Sequence, residues 1–405
     1  MIEVICTDKI RNKNNIITHY KIKDENDNET TMNAKQLKRM ISDNRINIVN
    51  LTLTSNNRLV DKKYKSKQQE PKEQTYLEKL LIKLKVLGYS IKEIEVIGNK
   101  CIYLASKNDN NHILYIPDGV NDLRSKNKIY TESDSYKILK NLVGTLKVMG
   151  GKDLVTTRLM FKYFNINKLD LSNFDTSNVK DMGFMFDTCA AKDIDVSNLN
   201  TSNVIDMESM FNNCSLKASS ILNLDTSNVK TMFQMFSDCK VDTLDLSNFN
   251  TSKVTTMSYM FYNCKANTIN ISNLDTSSVI HMDSMFRQTN ISVLDLTCLN
   301  TSNVVSMTNM FSKCVSDTIN LSGLDISKLR DAERMFYKCN IQNLYMNNLS
   351  TSSLTSADFM FYGCKASNVE LKGFHIPNHV IKTLDLIKGS CANITKAILN
   401  NGGKK

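Results

Sequence analysis

Five histidines and eleven cysteines are the residues of this chain that could do chemistry most directly. His375 and His379 are four apart, a spacing that would set two imidazoles beside one metal ion. Pro377 lies between them in an expected turn, and no carboxylate or thiol stands at ligand spacing, so no metal is expected there. The other histidines, His19, His112 and His281, are isolated. HExxH, CxxC and the phosphate-cradling glycine loops are all missing from the sequence, so it points to no cofactor and to no enzyme. The cysteines offer disulfide, redox or packing chemistry. Cys189, Cys214, Cys239 and Cys264 are 25 residues apart, and Cys314, Cys339 and Cys364 continue the series. Such spacing belongs to a repeat, and buried reduced thiols acting as small apolar plugs are the expected role. Thr289 takes the fifth place, so that column does not demand sulfur at every level.

Carboxylates recur with the same period. Asp175, Asp225 and Asp275 alternate with Asn200, Asn250 and Asn300. Calcium would need six to eight oxygens, and each unit offers few. A ladder of turn-forming side chains is the better reading. Asp170, Asp195, Asp245 and Asp295 fall on the outward side of short strands and would make a regular polar surface. Tyr345 is the one aromatic of that row, with Phe359 and Tyr362 in the same unit and Tyr337 one unit earlier. Aromatics are favoured anchors, so these eight residues are the candidate protein-binding set.

The elements that must position them are repeats. The first reads LDLSNFDTSNVKDMGFMFDTC over residues 169–189, and further units begin at 194, 219, 244, 269, 294, 319 and 344 without insertion. A degenerate unit precedes the first, and a divergent one follows at 369. Leu169 and Leu171 alternate with polar residues, which predicts a strand with one buried face. Val179, Met182, Met185 and Phe186 at spacings of three, three and one predict a short helix, with Thr176 or Ser177 as its N-cap. The methionines belong to its packed side. One unit cannot bury its apolar side alone, but stacking does so, with near-constant Ser and Asn columns as ladders and divergent end units as caps. The predicted fold is an α/β solenoid with a parallel sheet, built of 25-residue β-turn-helix repeats and preceded by small α+β domains.

The recurring LDLSNFDTSNVxxMxxMFxxC resembles the BspA-like leucine-rich-repeat family of bacterial surface proteins over residues 154–391. The resemblance implies a leucine-rich-repeat-type solenoid and a role in adhesion or protein binding at the bacterial cell surface. Residues 1–60 resemble a small bacterial and phage domain of unknown function, and supply no chemistry.

The remaining organisation follows from composition. Residues 61–75 read as a basic polar linker, 76–150 as an α+β unit that docks on the first coil and shields it, 151–391 as the solenoid and 392–405 as a tail. In the front, a strand at 2–7, a hairpin over 16–32, a helix at 33–42 and a strand at 46–53 are expected. In the second unit, helices at 76–87 and 136–146 flank three strands. The net charge of +10 sits wholly in residues 1–152, which hold 28 Lys and Arg against 18 Asp and Glu; residues 153–405 hold 23 of each. That excess permits contact with nucleic acid or anionic lipid, though the cations are scattered rather than striped. No apolar run approaches a membrane span, and no signal peptide or anchor is read, so the sequence itself gives a cytoplasmic expectation where the family resemblance gives the surface. The function expected is a non-enzymatic scaffold that binds a protein partner. A nucleic-acid- or phage-associated factor acting through the basic front is the alternative, and an enzyme in the front domains, which no motif supports, is the second.

Overall fold

The computed structural model describes residues 2–12, 17–24, 26–43, 46–48, 51–53, 59–61, 75–97, 100–123, 133–374, 376–377, 380 and 385–401. Most of the basic linker, both His375 and His379, and the last residues of the tail lie outside the described residues. Contacts divide the chain into two units, 1–82 and 83–405.

In the first unit, β1 (Ile2–Arg11), β2 (Ile17–Asp24), β3 (Glu29–Asn33) and β4 (Ile46–Ile48) form a sheet in the order β3-β2-β1-β4. β1–β2 and β2–β3 are antiparallel and β1–β4 is parallel. Helix α1 (Ala34–Ser42) starts at Asn33, whose side chain accepts the Gln36 amide while the Gln36 side chain accepts the Asn33 amide. Cys6, Tyr20, Ile22 and Leu37 are its small core. β5 (Leu51–Leu53) and β6 (Leu59–Asp61) pair as a separate hairpin. Helix α2 (Tyr76–Val86) runs across the division between the units.

The second unit opens with a meander of β7 (Ser90–Ile97), β8 (Lys100–Lys107) and β9 (Asn111–Ile116). The expected helix at 136–146 is shorter, α3 (Asp134–Leu139), capped by Ser133. The chain then reaches Gly144 at φ +81° and enters β10 (Thr145–Gly150). A Cβ on Gly144 would lie 2.2 Å from the Asn110 carbonyl oxygen, so only glycine lets the two backbones approach there. β10 pairs in parallel with β9 on one side and with β11 (Lys168–Phe174) on the other, joining meander and first coil in one five-stranded sheet. The apolar core runs without a break from Ile94 to Ile398. Strands β7 to β10 therefore continue the sheet beyond the first coil's β11.

From β11 on, the chain is a β-solenoid of about nine turns with parallel sheets. β12 (Thr243–Asp245) pairs with β13 (Thr268–Asn270), and β14 (Val293–Asp295), β15 (Val315–Asn320), β16 (Asn340–Tyr345) and β17 (Lys365–Glu370) pair in sequence, always in a register of 25. A second ladder of single bridges runs Thr156, Asp181, Asp206, Thr231, Thr256, His281, Ser306, Asp331, Ser356. The sheet is interrupted at the 194 and 219 coils and again between β13 and β14; where Ser219 stands in the Leu169 column the coil makes a 3₁₀ turn, Ala218–Asn223, that buries Ser220 and Ile221. Nine phenylalanines, Phe161 to Phe361 in steps of 25, stack through the interior with centroids 5.2–6.0 Å apart. Coils rise by about 4.8 Å, so slightly offset rings meet at every step.

The helix expected in each repeat does not form. Residues 179–189 make successive tight turns instead. The Met185, Asp187 and Cys189 amides bond the carbonyls of Met182, Phe184 and Phe186 three residues back. The alternate amides, of Met182, Phe184, Phe186 and Thr188, donate to Asp206, Glu208, Met210 and Asn212 of the next coil. Apolar residues three apart fit the corners of such turns as well as they fit one helical face. Phe184 and Thr188 are left-handed, at φ +56°, and the same two places are left-handed in later coils. Two such residues cost about 1–2 kcal/mol each. Four inter-coil bonds return about 0.5–1.5 kcal/mol each, and the turn also buries Met182, Met185 and Phe186. Thr176 caps no helix; its hydroxyl donates to the Asn200 carbonyl of the next coil, and Thr201, Thr226, Thr251, Thr276 and Thr301 repeat the bond.

Candidate functional site: the outer faces of the solenoid

The strand face is spoken for locally. Asp170, Asp195, Asp245 and Asp295 each accept the amide two residues on, at 3.0–3.1 Å, and so shape the turn after the strand. Asp170 also meets Lys147 at 3.5 Å, Asp195 meets Lys217 at 2.6 Å, Asp245 accepts Asn270 and Asp295 accepts the Thr297 hydroxyl. Tyr345 continues their row, half-buried, beside an open hollow of about 550 Å³ with Glu370 and Lys396 on its wall.

The Asp175/Asn200 column is a turn ladder: Asp175, Asn200, Asp225, Asn250, Asp275, Asn300 and Asp325 each accept the amide of the Ser two residues later. Bonds from the Ser277 side chain and amide hold Asp275 below the usual carboxylate range, and those from Ser227 and Ser327 act likewise on Asp225 and Asp325. Among the described residues no group of three His, Cys, Asp or Glu could hold a metal ion.

The thiol column is buried and unpaired by disulfides. Burial pushes Cys189 up to about 11, Cys264 to about 12 and Cys314 to about 11, far from the thiolate that nucleophilic or redox chemistry needs. Cys339 and Cys364 touch, Sγ to Sγ at 3.0 Å. His112 is also structural: its Nε2 donates to the Val143 carbonyl at 3.0 Å, so its Nδ1 accepts the Ser106 hydroxyl at 2.9 Å.

The turn arm, which faces the strands across the core, is different. Its inward places hold Met and Phe, and its outward places change from coil to coil. At the front end Arg158 bonds Asp181 at 3.2 Å, Asp206 at 3.1 Å and Glu208 at 2.7 Å, three coils in one clamp. Burial alone would lower the Arg158 pKa, but the three carboxylates raise it on balance. Lys162 pairs with the buried Asp187. Farther along, Tyr337 stacks on Tyr362 at 5.3 Å and Phe359 meets Tyr362 edge-on at 5.7 Å. Arg334 lies over Phe359 at 5.2 Å, and Lys338 over Tyr337 at 5.1 Å. Three of the four candidate aromatics thus form one ridge, whereas Tyr345 belongs to the strand face. A second ridge was hidden from sequence reasoning: Phe233, Tyr259 and Tyr262 at 5.5 and 5.9 Å, with Arg287 over Tyr262. Its signal was the outward columns through Gly183, Phe184 and Asp187, which vary while Met185 and Phe186 beside them recur.

Fold and surface together define a repeat scaffold, a β-solenoid whose invariant columns make the core and whose variable columns make the surface. The chain belongs to the family described as Mycoplasma protein of unknown function, DUF285; the family model matches residues 155–273, 187–297 and 257–374, together more than half of the chain. Neither a curated protein nor a solved structure matches it. Among the described residues no helix is long and apolar enough to cross a membrane.

Proposed function

We propose that this protein is a non-enzymatic binding scaffold that docks a protein partner on the turn arm of its solenoid. The observation that carries the reading is the ridge of Tyr337, Phe359 and Tyr362 flanked by Arg334 and Lys338, because stacked aromatics beside Arg are the composition of interface anchors. The aspartates of the strand face support it by contrast, since one oxygen of each already holds its own turn and Asp170 and Asp195 also pair with lysines. The BspA-like leucine-rich-repeat kinship, with adhesion at a bacterial surface, belongs to this proposal and rests on the recurring motif. The test is a photo-reactive phenylalanine analogue placed at Tyr362 on the turn arm or at Thr268 on the strand face, in the full chain in its own cells. Cross-links to a protein from 362 and few from 268 are expected. Cross-links from 268 with none from 362, or none from either, would overturn the reading. Protease treatment of intact cells locates the protein in the same experiment.

A further inference from the structure

We infer that the turn arm also carries a binding pocket for an oxyanion, the carboxylate, sulfate or phosphate group of a small ligand, in the notch between Arg287 and Tyr337. Arg287, Ser312 and Tyr337 occupy one column in consecutive coils. On either side along this column large side chains meet, Tyr262 with Arg287 and Tyr337 with Tyr362, and Ser237 is its other small place. At Ser312 the side chain is small and buried, so the step stands open. Two coil rises of about 4.8 Å leave some 10 Å between the flanking backbones. The resulting hollow of about 300 Å³ is lined by Arg287, Asn309, Ser312, Lys313, Arg334 and Tyr337, within the size range of ligand pockets.

The lining holds three cations and no carboxylate. Glu333 pairs with Arg334, and Arg287 and Lys313 make no ion pair among the described residues. Asp283, four residues before Arg287, is occupied by the Ser306 hydroxyl and the Thr308 amide. Arg287 Nε is buried and has no hydrogen-bond partner. That N–H has no surface a ligand could reach, so what suits a planar or tetrahedral oxyanion is the Arg287 charge itself, held against Tyr262 on the wall of the hollow. Asn309 and Ser312 add neutral hydrogen-bonding groups, and Tyr337 offers a flat wall for the body of the ligand. The contrast with the front end is chemical: there Arg158 and Lys162 meet carboxylates of their own chain. The pocket goes beyond the docking proposal, because it can hold a small anion with no protein partner present.

The test is calorimetric titration of the full chain with sodium sulfate, phosphate or glucuronate at constant ionic strength, chloride serving as the balance. Saturable binding of at least one is expected, and the preferred probe tells a tetrahedral oxyanion from a carboxylate. Lys313→Gln and Arg287→Gln should each weaken it by about tenfold or more, since each removes a charge-assisted bond. Lys313 is exposed, so its variant decides the matter if the Arg287 variant fails to fold. No saturation by any of the three anions, or affinity that Lys313→Gln leaves unchanged, would overturn the inference.

Discussion

Replacing Phe261 by Ala tests the stacked column at its middle. The ring is fully buried and lies 6.0 Å from Phe236 and 5.4 Å from Phe286. Removing a buried Phe side chain costs about 3–5 kcal/mol, and each ring partner accounts for about 0.5–1.5 kcal/mol beyond buried area. Phe361 ends the column and has one such partner, Phe336 at 5.2 Å. Phe361→Ala should therefore cost about 0.5–1.5 kcal/mol less than Phe261→Ala. In a solenoid each coil touches only its neighbours, so the central loss should also weaken the couplings on both sides and leave distant coils intact. Hydrogen exchange read by mass spectrometry shows this directly. Protection should fall in the coils around 236–286 for Phe261→Ala and only near the carboxyl-terminal end for Phe361→Ala. Equal, uniform loss along the array in both variants would refute nearest-neighbour coupling, and a Phe261→Ala effect no larger than that of exposed Ile280→Ala would refute the column itself.

Acid should destabilise the solenoid through its turn ladder. Asp225, Asp275 and Asp325 have depressed folded pKa values, so their stabilisation is complete above the unfolded value of about 4 and fades as pH falls through the lower folded values. Changing all three to Asn, the residue that holds the same turn at Asn200, Asn250 and Asn300, should flatten the fall of melting temperature below about pH 4; an unchanged slope contradicts the assignment. Alkylation of the native protein at mildly alkaline pH should mark exposed Cys298 before Cys189, Cys264 or Cys314, and peptide mapping that finds the column modified first would show the thiols to be accessible. Gly150→Ala should detach the meander from the first coil, because Gly150 stands at φ +83° and the added Cβ would lie 2.0 Å from the Ile116 carbonyl oxygen. Exchange protection in β9 and β10 should drop while the middle coils keep theirs; intact protection at Ile116 would refute it.

The period of 25, the buried columns and the parallel stacking were legible because each is a one-dimensional property: a strict repeat permits only superposition of like on like. The local form of residues 179–189 was not legible. Spacings of three and four mark a helix in isolation, and nothing within one unit says that the carbonyls of the next coil will compete for its amides. That competition is long-range, and it decides Met182, Phe184, Phe186 and Thr188 together. The Ser219 coil shows the same limit from the other side: it makes a 3₁₀ turn where the Leu169 column holds Ser, and the 194 coil, which keeps Ile194 and Val196, forms only a single bridge. The 136–146 segment differs for another reason: its apolar residues suit a helix, but the chain turns after Leu139, and from Thr145 on it pairs with β9 as β10.

A repeat protein hides its binding surface in the exceptions to its own pattern. Columns that face the core must be uniform, because each side chain packs on its counterpart above and below; Met185 and Phe186 recur in every coil from 185 to 361. The outward columns carry no such demand, so what stands there is free to be set by function or left to drift. Drift would scatter aromatics and cations among the coils. Instead Arg287, Lys313, Arg334 and Lys338 fall in three successive coils, with Tyr337, Phe359 and Tyr362 against them, while the strand row at the same coils carries Asn270, Asp295 and Asn320. This clustering, visible only once the coils are superposed, is why the turn arm and not the more regular strand face is the surface to probe.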